Sequence, residues 1–311
     1  MRMAIIDMGT NTFNILIVDV LKNNQYKILF NDKIGVKLGK GGINNKIITP
    51  EAFDRGLRAI EKHLITIKKF DVEQIITTAT AGVRSTENGI EFVQALEKIF
   101  NLKIQIISGD EEAELIYLGV KQAVKFNDEN ALILDIGGGS NEFIIANKEG
   151  LIWKHSFDLG MTRLLDLFNP SDPITTQEIK KVEEYIDSNL TPLYEAVGNY
   201  SPKKLIGCSG TFDTFRSMIL AKKGGIPENI KHSNSYPIRL DDYEILHRDL
   251  IKSTLEERKK MEGLDMVRIE MIVLASIFVN FIIRKFNIKI LTQSAFAIKE
   301  GMVYKILTVK N

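Results

Sequence analysis

The residues best suited to chemistry follow the apolar run that ends at Asp135, in the segment ALILDIGGGSNEF (131–143). The run continues into three glycines and a serine, Gly137, Gly138, Gly139 and Ser140. Because glycines have no Cβ atom, their main-chain N–H groups can approach an anion closely. Asp135 and Glu142 flank the loop, and carboxylates beside a phosphate usually hold Mg²⁺, since they would repel the phosphate directly. The segment predicts a phosphate loop with a metal site; a glycine-rich hairpin turn is the alternative.

The surroundings of this loop exclude two common nucleotide sites. No Gly-Lys-Ser or Gly-Lys-Thr follows it, as a Walker loop requires. A second apolar strand comes after the glycines, whereas the dinucleotide fingerprint needs a helix at that point. The loop therefore belongs to a strand–turn–strand unit.

A further candidate is Glu112, in the segment ISGDEEAELIYLGV (107–120). Ser108 and Glu111 form the S-x-x-E pattern of a capping box, which explains Glu111 structurally. On a helical wheel Glu112 falls on the apolar side, where a carboxylate is unusual. Two interpretations stay open: stabilisation of the helix N-terminus, and a semi-buried general base held over a cleft.

Basic residues near small residues are candidates for phosphate contacts. Arg84 follows a predicted strand in TATAGVRSTENG (78–89), and arginine suits planar, bidentate contact with phosphate. Lys37 and Lys40 flank the glycines of GVKLGKGGI (35–43), where they would serve a phosphate chain. The alternatives are a surface salt bridge for Arg84 and a solvated loop for the lysines.

The strand–turn–strand unit occurs twice. At an offset of 128 residues, Asp7 falls on Asp135 and the apolar residues 15–18 fall on 143–146. The first copy has its own polar turn, formed by Thr10, Asn11 and Thr12. A weaker repeat near offset 130 relates IITTATA (75–81) to LIGCSGT (205–211). This spacing is too long for a solenoid and indicates one type of domain used twice.

Segments with helical spacing alternate with strands, which predicts a layered α/β fold. Long helices are predicted over 176–197 and 240–259, and a buried apolar helix over 271–283. We place a domain boundary in the polar stretch 125–130, which gives domains 1–125 and 126–311. The last helix would be free to pack back on the first domain.

The bulk composition is that of an ordinary globular protein of two domains: 311 residues, 44% hydrophobic and 26% charged. A net charge of +1 argues against a surface that coats nucleic acid or membrane. Cys208 is the single cysteine, so neither a disulfide framework nor a Cys-rich zinc site forms. The chain starts in a strand-like segment without the features of a signal peptide, and we expect a cytoplasmic protein.

Five segments together carry a resemblance to a known family: IIDMGTNTFNILI, ATAGVRSTENG, ISGDEEAELIYLGV, LILDIGGGSNEFII and LGMTRLLDLF. In this order, over nearly the whole chain, they resemble the exopolyphosphatase / guanosine pentaphosphate phosphohydrolase family of the actin, Hsp70 and sugar-kinase superfamily. The resemblance implies an α/β fold of two duplicated actin-like, ribonuclease H-like domains around a central cleft. It also implies hydrolysis of phosphoanhydride bonds, with polyphosphate or guanosine pentaphosphate as substrate.

The resemblance assigns roles to the residues that match the family's motifs. It implies that Glu112 is the catalytic glutamate and that Arg84 contacts phosphate. It implies a phosphate-binding set formed by the polar turn of the first half and the glycine loop of the second: Thr10, Asn11, Thr12, Gly137, Gly138, Gly139 and Ser140. The predicted metal is Mg²⁺, or alternatively Mn²⁺, and its acidic ligands are Asp135, Glu142 and Asp7.

Some positions depart from the family's pattern. Asn14 stands where many members have a basic residue, Glu114 where arginine is common, and Asn141 where threonine is usual. The first two remove positive charge, which weakens the expectation of tight binding to long polyphosphate. A non-catalytic sensor of an alarmone or polyphosphate and an actin-like kinase stay open as alternatives. A homodimer through the apolar C-terminal helices also stays open, beside their burial inside the domain.

Overall fold

The computed structural model of the protein describes residues 1–22, 25–225 and 233–309. The strands are β1 Arg2–Met8, β2 Thr12–Val20, β3 Tyr26–Gly35, β4 Gln74–Ala79, β5 Ile104–Ile106, β6 Ala131–Ile136, β7 Asn141–Asn147, β8 Gly150–Phe157, β9 Lys204–Cys208, β10 Ser235–Ile238 and β11 Ile290–Ser294. The helices are α1 Pro50–Ile67, α2 Ala81–Arg84, α3 Gly89–Phe100, α4 Gly109–Ala123, α5 Met161–Phe168, α6 Thr176–Ser188, α7 Thr191–Tyr200, α8 Ser209–Lys222, α9 Leu240–Lys252, α10 Leu255–Arg258, α11 Ile272–Lys285 and α12 Ile298–Val309.

The strands form two sheets of the same plan. In the first sheet the order is β3-β2-β1-β4-β5, and in the second it is β8-β7-β6-β9-β11 with β10 added at the edge. In each sheet the two hairpin-connected neighbours are antiparallel, and the central strand is parallel to the next strand along. The duplicated α/β architecture expected from the sequence is therefore confirmed.

The two sheets also share one register. Asp7 of β1 is paired with Asn14 of β2, and Asp135 of β6 is paired with Glu142 of β7, so the offset of 128 holds across the hairpin. Across the parallel ladder, Asp7 is paired with Thr78 and Asp135 with Cys208. The repeat near offset 130 thus reproduces the pairing of the central strand with its parallel neighbour.

One apolar cluster joins the two sheets. It contains Met3 and Ile5 of β1, Ile133 of β6, and Met302 and Val303 of α12, all fully or almost fully buried. Helix α12 packs against α4 and β1, so the last helix contacts the first sheet. Domain limits at 1–125 and 126–311 stay a prediction, because this cluster is continuous between the halves.

Two predicted helices are each broken into two. The segment 176–197 forms α6 and α7 because Pro192 occupies the first turn of α7, and proline is poorly tolerated inside a helix. The segment 240–259 forms α9 and α10, and Thr254 begins α10 in a capping box with Glu257. Helix α11 is buried as expected, and its apolar side chains pack in the hydrophobic core formed with strands β6 and β7 of the second sheet. In the described part of the chain, no helix combines the length and apolar character needed to cross a bilayer.

Close packing of α12 on α4 depends on glycine at two positions. A Cβ atom on Gly119 of α4 would lie 1.8 Å from the carbonyl oxygen of Ala297. A Cβ atom on Gly301 of α12 would lie 1.8 Å from the carbonyl oxygen of Leu115. Both contacts are with main chain, so the helices would have to move apart to relieve them.

We predict that Gly119→Ala lowers the free energy of unfolding by about 1–3 kcal/mol, because the added methyl group forces α12 away from α4. Gly198 of α7 is the matched control, since a Cβ atom there meets nothing within 4 Å. Gly198→Ala should raise stability by about 0.5–1 kcal/mol through the better helix propensity of alanine. Urea denaturation of both variants measures the difference; equal changes would contradict the packing argument.

Candidate active site

A cleft of about 360 Å³ lies between the turns of the two duplicated hairpins. It is lined by predicted residues from both halves, namely Asp7, Thr10, Asn11, Thr12, Glu112, Asp135, Gly137, Gly138, Gly139, Ser140 and Glu142. Arg84 meets the cleft through Glu112, to which it is hydrogen-bonded. The structure therefore brings the predicted catalytic, phosphate-binding and metal residues to one place, although it does not test the role of any member; the candidate lysines Lys37 and Lys40 do not line this cleft.

The two turns have matching main-chain geometry. The N–H of Gly9 donates to the carbonyl of Thr12 at 3.0 Å, and the N–H of Gly137 donates to the carbonyl of Ser140, also at 3.0 Å. The carbonyls of Gly137 and Gly138 accept from the first N–H groups of α5, at 2.9 Å each. Among the described residues the N–H groups of Gly138 and Gly139 donate to no main-chain acceptor, which is the condition for an anion-binding loop.

The glycine loop needs glycine because the turn of the first half lies against it. A Cβ atom on Gly138 would lie 2.4 Å from Nδ2 of Asn11, and one on Gly139 would lie 2.6 Å from Oγ1 of Thr10. The Asn11 side chain also accepts a hydrogen bond from the Thr162 hydroxyl at 2.8 Å. The two predicted phosphate turns are thus in contact across the cleft.

Glu112 projects from the first turn of α4 into the cleft and is 8% exposed. Nη1 of Arg84 donates to its Oε2 at 2.9 Å and to the carbonyl of Ile107 at 2.9 Å. Burial raises the pKa of Glu112 well above its ordinary value, and repulsion by Glu142 raises it further, while Arg84 lowers it. A carboxyl with a raised pKa at a cleft suits a general base near neutral pH.

Glu142 is held by hydroxyl groups. Its Oε1 accepts from Ser140 Oγ at 2.6 Å and from Ser156 Oγ of β8 at 2.7 Å. Burial and then repulsion by Asp135 raise the pKa of Glu142 to about 7, against the stabilising effect of the two hydroxyls. The two hydroxyl groups thereby orient the Glu142 side chain, and its raised pKa means that it changes its charge near neutral pH.

The two duplicated aspartates are buried in similar surroundings. Burial raises the pKa of Asp7 to about 6, and a hydrogen bond from Asn14 at 2.8 Å opposes the shift. Burial also raises the pKa of Asp135 to about 6, opposed by a 2.5 Å hydrogen bond from Ser209. The side-chain amide of Asn14 therefore donates a neutral hydrogen bond to Asp7. Position 14 is one of the departures from the family pattern, in which a basic residue is common there.

Carboxylate oxygens are the kind of donor that a divalent cation such as Mg²⁺ takes. Oδ1 of Asp7 is buried and has no hydrogen-bond partner among the described residues. In that same part of the chain, no three or more His, Cys, Asp or Glu side chains are placed to hold a metal ion together. Mg²⁺ does not require such a cage, because it usually keeps several waters and binds one or two carboxylates plus substrate phosphate. Asp135, Glu142 and Asp7 would serve in that way.

Sequence reasoning missed several residues of the cleft. Ser209 contacts Asp135 and has a φ of 61°, a strained conformation for a residue other than glycine. Ser156 reaches Glu142 from β8, and Arg268 and Asp213 line the cleft beyond the glycine loop. Ser209 had a sequence signal, because it lies in the weaker repeat at offset 130. The capping box at α4 is half formed: Ser108 accepts from the N–H of Glu111 at 3.1 Å, but the Glu111 carboxylate lies near Gln105 and Lys305.

Comparison with solved structures shows the same architecture elsewhere. An exopolyphosphatase from Cytophaga hutchinsonii matches with a TM-score of 0.95 and 38% sequence identity, covering 99% of this chain and 98% of that chain. A Ppx/GppA protein from Aquifex aeolicus matches with a TM-score of 0.79 over 100% of this chain and 99% of that chain. At 20% identity, this second likeness concerns the fold alone.

Sequence comparison gives the family. A bifunctional 3-dehydroquinate synthase/phosphatase from Fusobacterium nucleatum is 31% identical over 296 residues, which is 91% of this chain. The chain spans 43% of the length of that curated relative. The family model described as the Ppx/GppA phosphatase family matches residues 16–310. Since the match extends over almost the entire sequence, the chain belongs to the Ppx/GppA phosphatase family.

Proposed function

We propose that this protein is a phosphoanhydride hydrolase that releases the terminal phosphate of inorganic polyphosphate, of guanosine pentaphosphate, or of both. The observation that carries the proposal is the position of Glu112, a buried carboxyl paired with Arg84 beside a loop that offers free N–H groups. The similarity to an exopolyphosphatase along nearly the full length of both chains supports polyphosphate as a substrate. The phosphatase named in the curated relative supports hydrolysis in general.

The residues of the cleft divide the work of the reaction. The N–H groups of Gly138 and Gly139 and the polar turn at Thr10 and Asn11 bind the terminal phosphoryl group and orient it. Glu112 orients a water molecule for in-line attack and accepts its proton. Arg84 holds Glu112 and offsets negative charge on the phosphoryl oxygens. The electrostatic contribution is expected to dominate, because phosphoryl transfer needs positioning and charge stabilisation above all.

The proposed cofactor is Mg²⁺, or alternatively Mn²⁺, held by Asp135 and Glu142 with Asp7 nearby. A bound divalent cation would supply charge neutralisation for the phosphate oxygens. The protein's own part is to orient the ligands. Ser209 donates a hydrogen bond to Asp135, and both Ser140 and Ser156 donate to Glu142. These hydroxyl groups fix the orientation of each carboxylate before a cation or substrate binds.

The test of the proposal is phosphate release from polyphosphate and from guanosine pentaphosphate with Mg²⁺ and without any added nucleotide. A hydrolase releases phosphate from at least one of them under these conditions. An actin-like kinase would need a nucleotide acceptor or donor, and a sensor would bind without release. Absence of release from both substrates would overturn the proposal.

We predict that Glu112→Gln lowers kcat roughly 10²–10⁴-fold with little change in substrate binding, because the amide keeps the volume but cannot accept the proton. Glu111→Gln is the matched control one residue away. Its side chain is near Lys305 at 3.5 Å and lies at the start of α4, so its loss should cost about 0.3–1 kcal/mol of stability with kcat nearly unchanged. Equal losses of activity in both variants would place the base elsewhere.

For Arg84 we predict that two substitutions separate charge from shape. Arg84→Lys keeps the charge but loses the planar fork, so KM should rise several-fold while the acid limb of the pH–rate profile hardly moves. Arg84→Gln removes the charge that lowers the pKa of Glu112. The base then stays protonated to higher pH, and the acid limb of kcat/KM should shift upwards. Profiles identical to that of the unmodified protein would leave Arg84 without a part in the site.

A further inference from the structure

A second cavity, of about 710 Å³, adjoins the cleft. Asn11 and Met271 line both spaces, so the two are neighbours across this pair of side chains. Lys37 and Lys40 line the second cavity, and neither takes part in the chemistry proposed for the cleft. The two lysines that flank the glycines of the loop 35–43 therefore line the second cavity and not the cleft.

The main chain at Lys37 is hydrogen-bonded to the polar turn formed by Thr10, Asn11 and Thr12. Its N–H donates to the carbonyl of Asn11 at 2.9 Å, and its own carbonyl accepts from Nη2 of Arg55 at 2.9 Å. Lys37 has a φ of 48°, an uncommon conformation for a side chain of its size, which the surrounding contacts hold in place. Gly39 packs closely against Thr10, because a Cβ atom on Gly39 would lie 2.6 Å from Thr10 Cγ2. The lysines are thus carried by a loop that is fixed to the phosphate turn.

Glu270 holds both lysines. Its Oε2 lies 2.6 Å from Nζ of Lys37 and its Oε1 lies 3.5 Å from Nζ of Lys40. All three side chains are about a third exposed or more, so these pairs contribute little to stability and exchange readily with another anion. A phosphate group with more negative charge than one carboxylate would compete well for the two lysines.

The cavity as a whole has no excess of positive charge. Three cationic and three acidic side chains line it: Lys37, Lys40, Arg258, Asp166, Asp172 and Glu270. Arg258 is already engaged, because it donates to Asp172 at 2.7 Å and to the carbonyl of Ser253 at 2.5 Å. An anion would therefore bind by taking the place of Glu270 at Lys37 and Lys40, and Glu270 would set its affinity.

The direct contact between Asn11 and Met271, at the border of cleft and cavity, is weak, although Thr162 also holds the Asn11 side chain. Nδ2 of Asn11 donates to Sδ of Met271 at 3.1 Å, and a thioether is a weak acceptor. Resting on the proposed function, we infer that the second cavity binds the phosphates that follow the terminal one in a polyphosphate chain. The chain would pass between Asn11 and Met271, with Lys37 and Lys40 as its contacts and Glu270 as the group it displaces.

The test compares tripolyphosphate, which the cleft would largely contain, with a long-chain polyphosphate. In the double variant Lys37→Ala/Lys40→Ala, KM for the long chain should rise on the order of tenfold, with kcat and the KM for tripolyphosphate nearly unchanged. Glu270→Gln should change KM for the long chain in the opposite direction, because it frees both lysines. Lys148→Ala is the control, since Lys148 is similarly exposed and is paired with Asp128 at the far end of β7.

These outcomes distinguish the inference from the proposed function. Phosphate release from neither substrate by the unmodified protein would overturn the function, and the inference with it. Release from both, with an unchanged KM for the long chain in the double variant, would overturn the inference alone. Equal rises in KM for both substrates, or a rise in KM with Glu270→Gln, would show that the loop acts structurally; melting temperatures identify a loss of folding.

Discussion

Four of the carboxyl groups that line the cleft, those of Asp7, Glu112, Asp135 and Glu142, are buried, and Arg84 is hydrogen-bonded to one of them, Glu112. Burial alone raises the pKa of each, and mutual repulsion adds to the shift for Glu112, Asp135 and Glu142. Such a concentration of acidic groups costs stability as pH rises, because folding favours their protonated forms. The cluster is explained if positive charge, from Arg84 and from a bound cation, balances these carboxylates during function. The other residues of the site are interpreted in terms of that charge balance.

The duplicated fold is what brings the acidic groups together. Each sheet places an aspartate at the end of its central strand, and the two hairpins meet at their turns, where Gly138 and Gly139 allow contact with Asn11 and Thr10. Helix α4 adds Glu112 from the side, and its position depends on α12 packing through Gly119. Neutralising Glu142 would lower the pKa of Glu112, so the charge on Glu142 and the ionisation of the proposed base are linked.

The sequence predicts the parts of this arrangement that repeat or have a period. The offset of 128 residues predicts the hairpin register, because side chains that face the same way in two similar hairpins must occupy equivalent positions. The helical period predicts that Glu112 is buried. Contacts between distant segments have no such period: Arg84 with Glu112, Ser156 with Glu142 and Ser209 with Asp135 depend on tertiary packing. Helix boundaries at Pro192 and Thr254 were missed for a related reason, since a local break interrupts an otherwise continuous amphipathic pattern.

The most direct test of this account is the number of protons released when Mg²⁺ binds, measured by calorimetry in buffers of different ionisation enthalpy. The pKa values of Asp7 and Asp135 are raised to about 6 and that of Glu142 to about 7, so these groups are partly protonated near pH 6.5 and largely ionised near pH 8. Because a cation binds the ionised forms, we expect a sizeable fraction of a proton to be released near pH 6.5 and much less near pH 8. Asp135→Asn should reduce the release. Failure of Mg²⁺ to bind, or binding without proton release at the lower pH, would contradict the account.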